Sequence, residues 1–211
     1  MKTILFIGDS ITDCRRNRNG HPHNMGGGYA GFVAGRFGVQ YPGEYRFLNH
    51  GSDGYRSVDL YAYVKEDVLL WKPDYLSILV GVNDVLHDKS VHNGVSAQKY
   101  EKLYTLLIEE IREALPGVKF ILMEPFITAM DPEVAEVRKD VILRADAVQR
   151  VADRFDIPVV KLQKGLDELC QIKPPEYWLP DGVHPSPQFH QYMADQWIQV
   201  FYEKVLNVEK G

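Results

Sequence analysis

Five short, nearly continuous apolar runs, each followed by a longer stretch with helical spacing, constrain this chain more than any other feature. The runs are Thr3–Ile7, Tyr45–Leu48, Tyr75–Val80, Lys119–Met123 and Val159–Lys161. Runs without apolar–polar alternation are strands covered on both faces. The stretches between them predict helices at Gly28–Phe37, Ser57–Leu70 (with Ser57 as N-cap), Ala97–Leu115, Pro132–Phe155 and Pro187–Leu206. Strand–helix alternation of this kind demands right-handed crossovers and a parallel sheet. No repeat or linker divides the 211 residues, so residues 1–211 are expected to form a single doubly wound α/β domain. The last helix carries Trp197, Val200, Phe201 and Tyr202. That aromatic face suits either the core or a second copy of the chain in a homo-oligomer.

Such a sheet directs attention to the residues just past each strand, because ligands bind outside the carboxyl ends of parallel strands. Those residues are Gly8-Asp9-Ser10, Asn49-His50-Gly51-Ser52-Asp53-Gly54, Gly81-Val82-Asn83-Asp84, Glu124-Pro125 and, further on, Asp181-Gly182-Val183-His184. Together they hold what acyl transfer requires. A serine hydroxyl needs a base to take its proton, and imidazole titrates in the right range. The imidazole in turn needs a carboxylate to fix its tautomer. Of the seven histidines only His87 and His184 have an aspartate three residues earlier, Asp84 and Asp181. His87 lies in a helical setting that suits a surface ion pair. His184 lies in the turn-rich "PDGVHPSP", which packing alone would not require. Ser10, His184 and Asp181 are therefore the candidate nucleophile, base and orienting carboxylate. The Ser10 and Gly54 N–H groups and the Asn83 amide are candidate donors to an oxyanion. Asp9 is expected to cap the turn that holds Ser10. Tyr177 and Trp178, beside the Asp181–His184 pair, are candidate sugar-stacking rings. Tyr55 and Arg56, just after Gly54, are candidate residues that narrow the pocket.

The blocks "GDSITD", "GSDGYRS", "GVND" and "DGVHPS" resemble, in order, the four blocks of the SGNH or GDSL-type serine hydrolase superfamily, and they span residues 8 to 186. The resemblance implies a flavodoxin-like three-layer α/β/α sandwich with a five-stranded parallel sheet. It implies the same roles for Ser10, Asp181, His184, Gly54 and Asn83, and ester cleavage without a metal or other cofactor. "LFIGDSITDC", the glycine-rich "GGGYAGFVAG" and the "W…VHPS" ending are similar to the carbohydrate O-acetyl esterase branch, of acetylxylan-esterase type. The implied substrate is a small ester, an acetylated sugar such as an acetyl xylo-oligosaccharide. A short-chain lipase or acylhydrolase, or a lysophospholipase or thioesterase of the same superfamily, is the alternative.

Other classes fit less of the chain. Gly26–Gly31 matches G-x-G-x-x-G but follows no strand, as a dinucleotide site must. No P-loop and no G-x-S-x-G elbow occurs. A carboxylate–metal phosphoesterase could draw on Asp9, Asp13 and Asp84, with His21 and His23 nearby, but it leaves Ser10, Asn83 and His184 without a purpose. A non-catalytic flavodoxin-like binding module is a further alternative. The formal charge of −5 argues against nucleic acid as partner, despite Arg15, Arg16 and Arg18 in the loop Arg15–Gly28. The two cysteines form neither a disulfide framework nor a zinc pattern. No apolar run is long enough for a membrane span. The run Ile4–Ile7 after one lysine is too short for a signal peptide, so a cytoplasmic protein is expected.

Overall fold

The computed structural model describes residues 1–17, 24–128 and 132–206. Five strands, β1 (Lys2–Gly8), β2 (Tyr45–Asn49), β3 (Tyr75–Leu79), β4 (Lys119–Met123) and β5 (Val159–Val160), pair in parallel in the order β2-β1-β3-β4-β5. The helices in chain order are α1 (Ser10–Asp13), α2 (Tyr29–Gln40), α3 (Ser57–Ala62), α4 (Val82–Val91), α5 (Ala97–Ala114), α6 (Pro132–Phe155), α7 (Gln163–Leu169), α8 (Pro175–Trp178) and α9 (Pro187–Val200). The expected five-stranded α/β/α sandwich is the observed one.

Alternate residues of each strand feed two separate cores. Ile4, Phe6, Tyr75, Ile121 and Met123 pack under α2 and α9. Leu5, Ile7, Leu76, Ile78 and Leu122 pack under α3, α5 and α6. Because every position on a central strand is then buried, the apolar runs show no period of two. Ser77 is the exception in the middle of β3. It is buried, and its hydroxyl accepts the indole N–H of Trp197 at 3.0 Å. A polar residue thereby satisfies the one polar atom of the largest core side chain. Trp197 and Phe201 are fully buried, so that aromatic face belongs to the core.

Two predicted helices end differently from their apolar pattern. Regular α-helix in the 57–70 stretch stops at Ala62, and a π-helical turn follows at Lys65–Leu69. The last helix likewise passes into a π turn at Phe201–Leu206. Ser57 is not the N-cap. It is the first helical residue, Arg56 occupies the cap, and the Ser57 hydroxyl goes to Asp84 in another loop. No helix among the described residues is long and apolar enough to cross a membrane.

The strand order fixes where a site must lie. From β1 the chain turns outward to β2, then crosses back to β3 on the other side of β1. The carboxyl ends of β1 and β3 therefore flank a topological switch point, with Gly8 paired in register to Leu79. Ser10 follows the first of these strands and Asn83 the second.

Candidate active site

Gly8 ends β1 against β3 so closely that a Cβ there would run into the Leu79 carbonyl oxygen. The chain then breaks into the single turn α1. Asp9 caps it: its Oδ1 accepts the Ile11 N–H at 3.0 Å, and its carbonyl accepts from Thr12 and Asp13. Asn49, at the end of β2, ties the turn down by donating to the Thr12 carbonyl (2.6 Å) and the Met25 carbonyl (2.9 Å). Ser10 is thus the first residue of a short, pinned helix. Among the described residues its N–H has no protein acceptor.

The Ser10 hydroxyl lies 2.9 Å from His184 Nε2, across 174 residues of sequence. Nδ1 of the same ring lies 2.7 Å from Asp181 Oδ2. Asp181 Oδ1 meanwhile accepts the backbone N–H groups of His184 (2.7 Å) and Val183 (3.0 Å). Gly182, at φ +83°, provides the left-handed residue that lets the carboxylate curl back on the ring. Its carbonyl accepts the Thr128 N–H at 3.1 Å and the Thr128 hydroxyl at 3.3 Å, which anchors the loop to the segment that follows β4. A carboxylate at Nδ1 assigns the ring proton there and leaves Nε2 to accept from Ser10. Partial burial lifts the Asp181 carboxyl, but the hydrogen bonds from His184 and Val183 outweigh it and hold the group below its ordinary value.

Gly54 adopts φ +75°, and a Cβ added there would meet only His87 Cε1 at 3.9 Å. The glycine is needed for its backbone conformation rather than for space. The Gly54 N–H, like that of Ser10, has no protein acceptor among the described residues. Asn83 is buried in the first turn of α4, and its amide donates one hydrogen to the Tyr55 carbonyl at 3.1 Å. Among the described residues its second amide hydrogen has no protein acceptor. Next to it, Asp84 accepts the Ser57 N–H at 3.1 and 3.2 Å and the Ser57 hydroxyl at 2.5 Å. The loop carrying Gly54 and the loop carrying Asn83 are thereby tied together twice. Asp84 is thus engaged by Ser57, and among the described residues no hydrogen bond joins it to His87.

Two buried carboxyls stand out. Burial pushes Asp9 up to about 7, against the opposing pull of the Ile11 N–H. Burial likewise lifts Asp84 to about 6, partly offset by its bonds from Ser57. Neither of them joins Asp13 in a metal-ligand set: Asp9 caps α1 and Asp84 holds Ser57. Among the described residues no group of three or more His, Cys, Asp or Glu side chains could hold a metal ion. Arg18, His21 and His23 lie outside the described residues.

Ser10, Asp181 and His184 line a cavity of about 830 Å³ with Arg15, Asp53, Cys14, His190 and the prolines 185 and 187. Cys14 and His190 carry no local sequence signal, being 176 positions apart. His190 Nδ1 accepts the Tyr29 N–H at 3.2 Å, which turns Nε2 toward Cys14 Sγ at 3.5 Å. Burial keeps this imidazole neutral, with its pKa lowered to about 4. The four expected substrate contacts do not line this cavity. Trp178 turns inward and donates to the carbonyls of Leu169 (3.0 Å) and Lys173 (3.2 Å), with the exposed Tyr177 edge-on to it. Arg56 is held by Asp59 at 2.8 and 3.0 Å and by the Asn93 carbonyl at 2.6 Å. Tyr55 faces a neighbouring cavity.

A family model described as the GDSL-like Lipase/Acylhydrolase family matches residues 6–192. An acetylxylan esterase from Geobacillus stearothermophilus is 32% identical over 204 residues, which are 93% of this chain and 92% of that protein. Among solved structures, one described as a GDSL-like lipase from Parabacteroides merdae superposes with a TM-score of 0.89 at 31% identity, covering 94% of each chain. The Geobacillus acetylxylan esterase Axe2 superposes with a TM-score of 0.84 at 32% identity, covering 94% of this chain and 93% of its own. Solved forms of Axe2 include catalytic mutants in which a serine, an aspartate or a histidine is replaced by alanine.

Proposed function

This chain belongs to the GDSL-like lipase/acylhydrolase family and is a carboxylic ester hydrolase, and we propose that it removes acetyl groups from small carbohydrates such as xylo-oligosaccharides by a metal-independent Ser–His–Asp mechanism. The observation that carries this reading is the unbroken chain from Ser10 Oγ through His184 to Asp181, at 2.9 and 2.7 Å. A serine, a histidine and an aspartate are also the residue types replaced in the catalytic mutants of Axe2.

In this reading Ser10 Oγ attacks the ester carbonyl carbon as its proton passes to His184 Nε2. The carbonyl electron pair moves onto oxygen, and the N–H groups of Ser10 and Gly54 with the Asn83 amide receive the oxyanion. Collapse re-forms the carbonyl and breaks the bond to the alkoxy oxygen, which takes the proton from Nε2 and leaves as the sugar hydroxyl. Water then attacks the acetyl-Ser10 carbonyl and gives its proton to the same nitrogen. The second collapse returns that proton to Ser10 Oγ and releases acetate. Asp181 stabilises the imidazolium in both halves and takes no proton. Asp9 does not react; it holds the turn that presents Ser10.

Arg15, Asp53 and Asp181 put charged groups on the cavity wall that can hydrogen-bond a hydroxyl-bearing leaving group, beside an apolar part formed by Ile11, Pro185 and Pro187 that suits a short acyl chain. The test compares the unaltered enzyme with Ser10→Ala on p-nitrophenyl acetate, p-nitrophenyl octanoate and acetylated xylotriose, with and without EDTA. We expect acetate release from the first and third substrates, no effect of EDTA, and a loss in kcat of about a million-fold in the variant, the scale of triad nucleophiles. Activity that survives Ser10→Ala, or that EDTA abolishes, refutes the serine mechanism. Preference for the octanoate moves the enzyme to the lipase and thioesterase side.

A further inference from the structure

A second cavity, of about 510 Å³, lies on the other side of the loop that carries Gly54. No residue lines both cavities, but neighbours in sequence line one or the other. Arg15 lines the first and Arg16 the second, and Asp53 lines the first while Ser52 and Tyr55 line the second. A molecule esterified at Ser10 and longer than one sugar ring would have to pass over this loop to reach the second space. The volume is within the range of small-molecule sites.

The lining has a particular chemistry. Tyr55 and Tyr63 stack with centroids 5.6 Å apart and planes 16° apart, and Tyr63 is 47% exposed. Trp71 stands beside them, 39% exposed, with His50 packed edge-on at 4.7 Å. The indole N–H is given to the Glu66 carbonyl at 3.1 Å, and the exposed Glu66 carboxylate lines the same wall. The π turn at Lys65–Leu69 sets Glu66 and Trp71 at this edge, and such turns recur at functional sites. Aromatic surface beside a carboxylate suits a molecule that is apolar on its ring faces and bears hydroxyls at its rim. Glu66 and Asp67 are matched by two cations, Arg16 on the wall and Arg46 5.8 Å over the Trp71 ring, so the site carries no net charge that would draw an ionic ligand. Burial keeps His50 neutral at physiological pH, its pKa lowered to about 4.

We infer that this cavity, walled by Tyr63, Tyr55, Trp71 and Glu66, is a leaving-group subsite that binds a neutral pentose ring next to the one being deacetylated. The inference rests on the carbohydrate-ester reading for its substrate, but not for its test. Xylotriose without acetyl groups is titrated into the enzyme and into Tyr63→Ala and Glu66→Gln, with the Trp71 indole N–H followed by NMR and assigned by Trp71→Phe. Both substituted residues are exposed, so neither change threatens the fold. We expect the Trp71 signal to shift on titration and the affinity to fall roughly ten-fold in each variant, as for loss of one good contact. The same variants should raise KM for acetylated xylotriose by a similar factor and leave kcat/KM for p-nitrophenyl acetate unchanged. An unmoved Trp71 signal overturns the subsite, as does an unchanged KM for the oligosaccharide in both variants. Saturable xylotriose binding by a protein with no Ser10-dependent esterase activity supports the subsite while refuting the serine-esterase reading.

Discussion

Asp9 offers a test of how the turn that carries Ser10 is held. The residue is 1% exposed, and burial lifts its carboxyl from 3.8 in the unfolded chain to about 7 in the native one. Below pH 4 both states are protonated and Asp9 is a neutral cap. Between pH 4 and 7 the unfolded chain gives up the proton while the native state retains it, so stability falls as pH rises. Above pH 7 both states are ionised and the loss is complete. A difference of about three pH units at 1.36 kcal/mol each corresponds to about 4 kcal/mol. Asp9→Asn keeps the Oδ1 that accepts the Ile11 N–H and removes the ionisation. Urea unfolding of both proteins at intervals from pH 4 to pH 8 should show the variant gaining on the wild type by about 4 kcal/mol across that range, with equal m-values. Asp84, lifted to about 6, is present in both proteins and largely cancels in the difference. A stability difference that stays flat with pH would show that the Asp9 carboxyl does not titrate with a raised pKa in the native state.

Three further outcomes follow from named contacts. Asp181→Asn keeps the fold but loses the charge that fixes the His184 tautomer, so kcat should fall about 10⁴-fold; a fall of less than ten-fold in steady-state assays would remove Asp181 from the mechanism. Asn83→Ala should lower kcat by about 10²–10³ with little change in KM, the signature of a donor used in the transition state, and an equal rise in KM would mark it as a ground-state contact. Trp197→Ala empties the centre of one core and takes the partner from the Ser77 hydroxyl, and it should destabilise by about 3–5 kcal/mol in urea titration, against under about 1 kcal/mol if the core can close over the gap.

The legible part of this protein was the part written locally. All five strands lie within a residue or so of their apolar runs, because a central parallel strand must be apolar on both faces and is bounded by glycine, asparagine or proline. Asp181-Gly182-Val183-His184 was legible because the carboxylate, the left-handed glycine and the imidazole fall within four positions. Where two such pairs competed, sequence alone gave only a preference. What distinguishes them is Ser57, which comes from a different loop and occupies Asp84 from 27 positions away. The same bond explains the misplaced helix cap: Ser57 has the right chemistry for an N-cap, but its hydroxyl found a buried carboxylate instead. Trp178 misled in the opposite way. It adjoins the Asp181–His184 pair in sequence, yet its N–H goes to the carbonyls of Leu169 and Lys173, so its ring turns away from the cavity.

The site divides its work between buried and exposed parts, and that division explains why only some of its precision can be read from the chain. His184 and Asp181 are about half exposed, and a hydrogen bond between two exposed side chains holds its geometry poorly in water. Here the pair does not hold itself. Asp181 is aimed by two backbone N–H groups, and the loop is anchored through Gly182 to Thr128. On the other side of the cleft, Asn49, Asp84 and Ser57 are buried, and each bonds across between loops rather than within one. A buried polar group left unpaired costs about 1–3 kcal/mol, so these loops cannot separate without that penalty. The groups proposed to react sit where substrate and water reach them, and the groups that locate them sit where water does not. Reaction chemistry requires certain residue types and so leaves motifs. The buried ties need a donor and an acceptor that meet in three dimensions: Ser57 and Asp84 close the blocks "GSDGYRS" and "GVND", yet nothing local to either block says that the two meet, and Asn49 lies in no block at all.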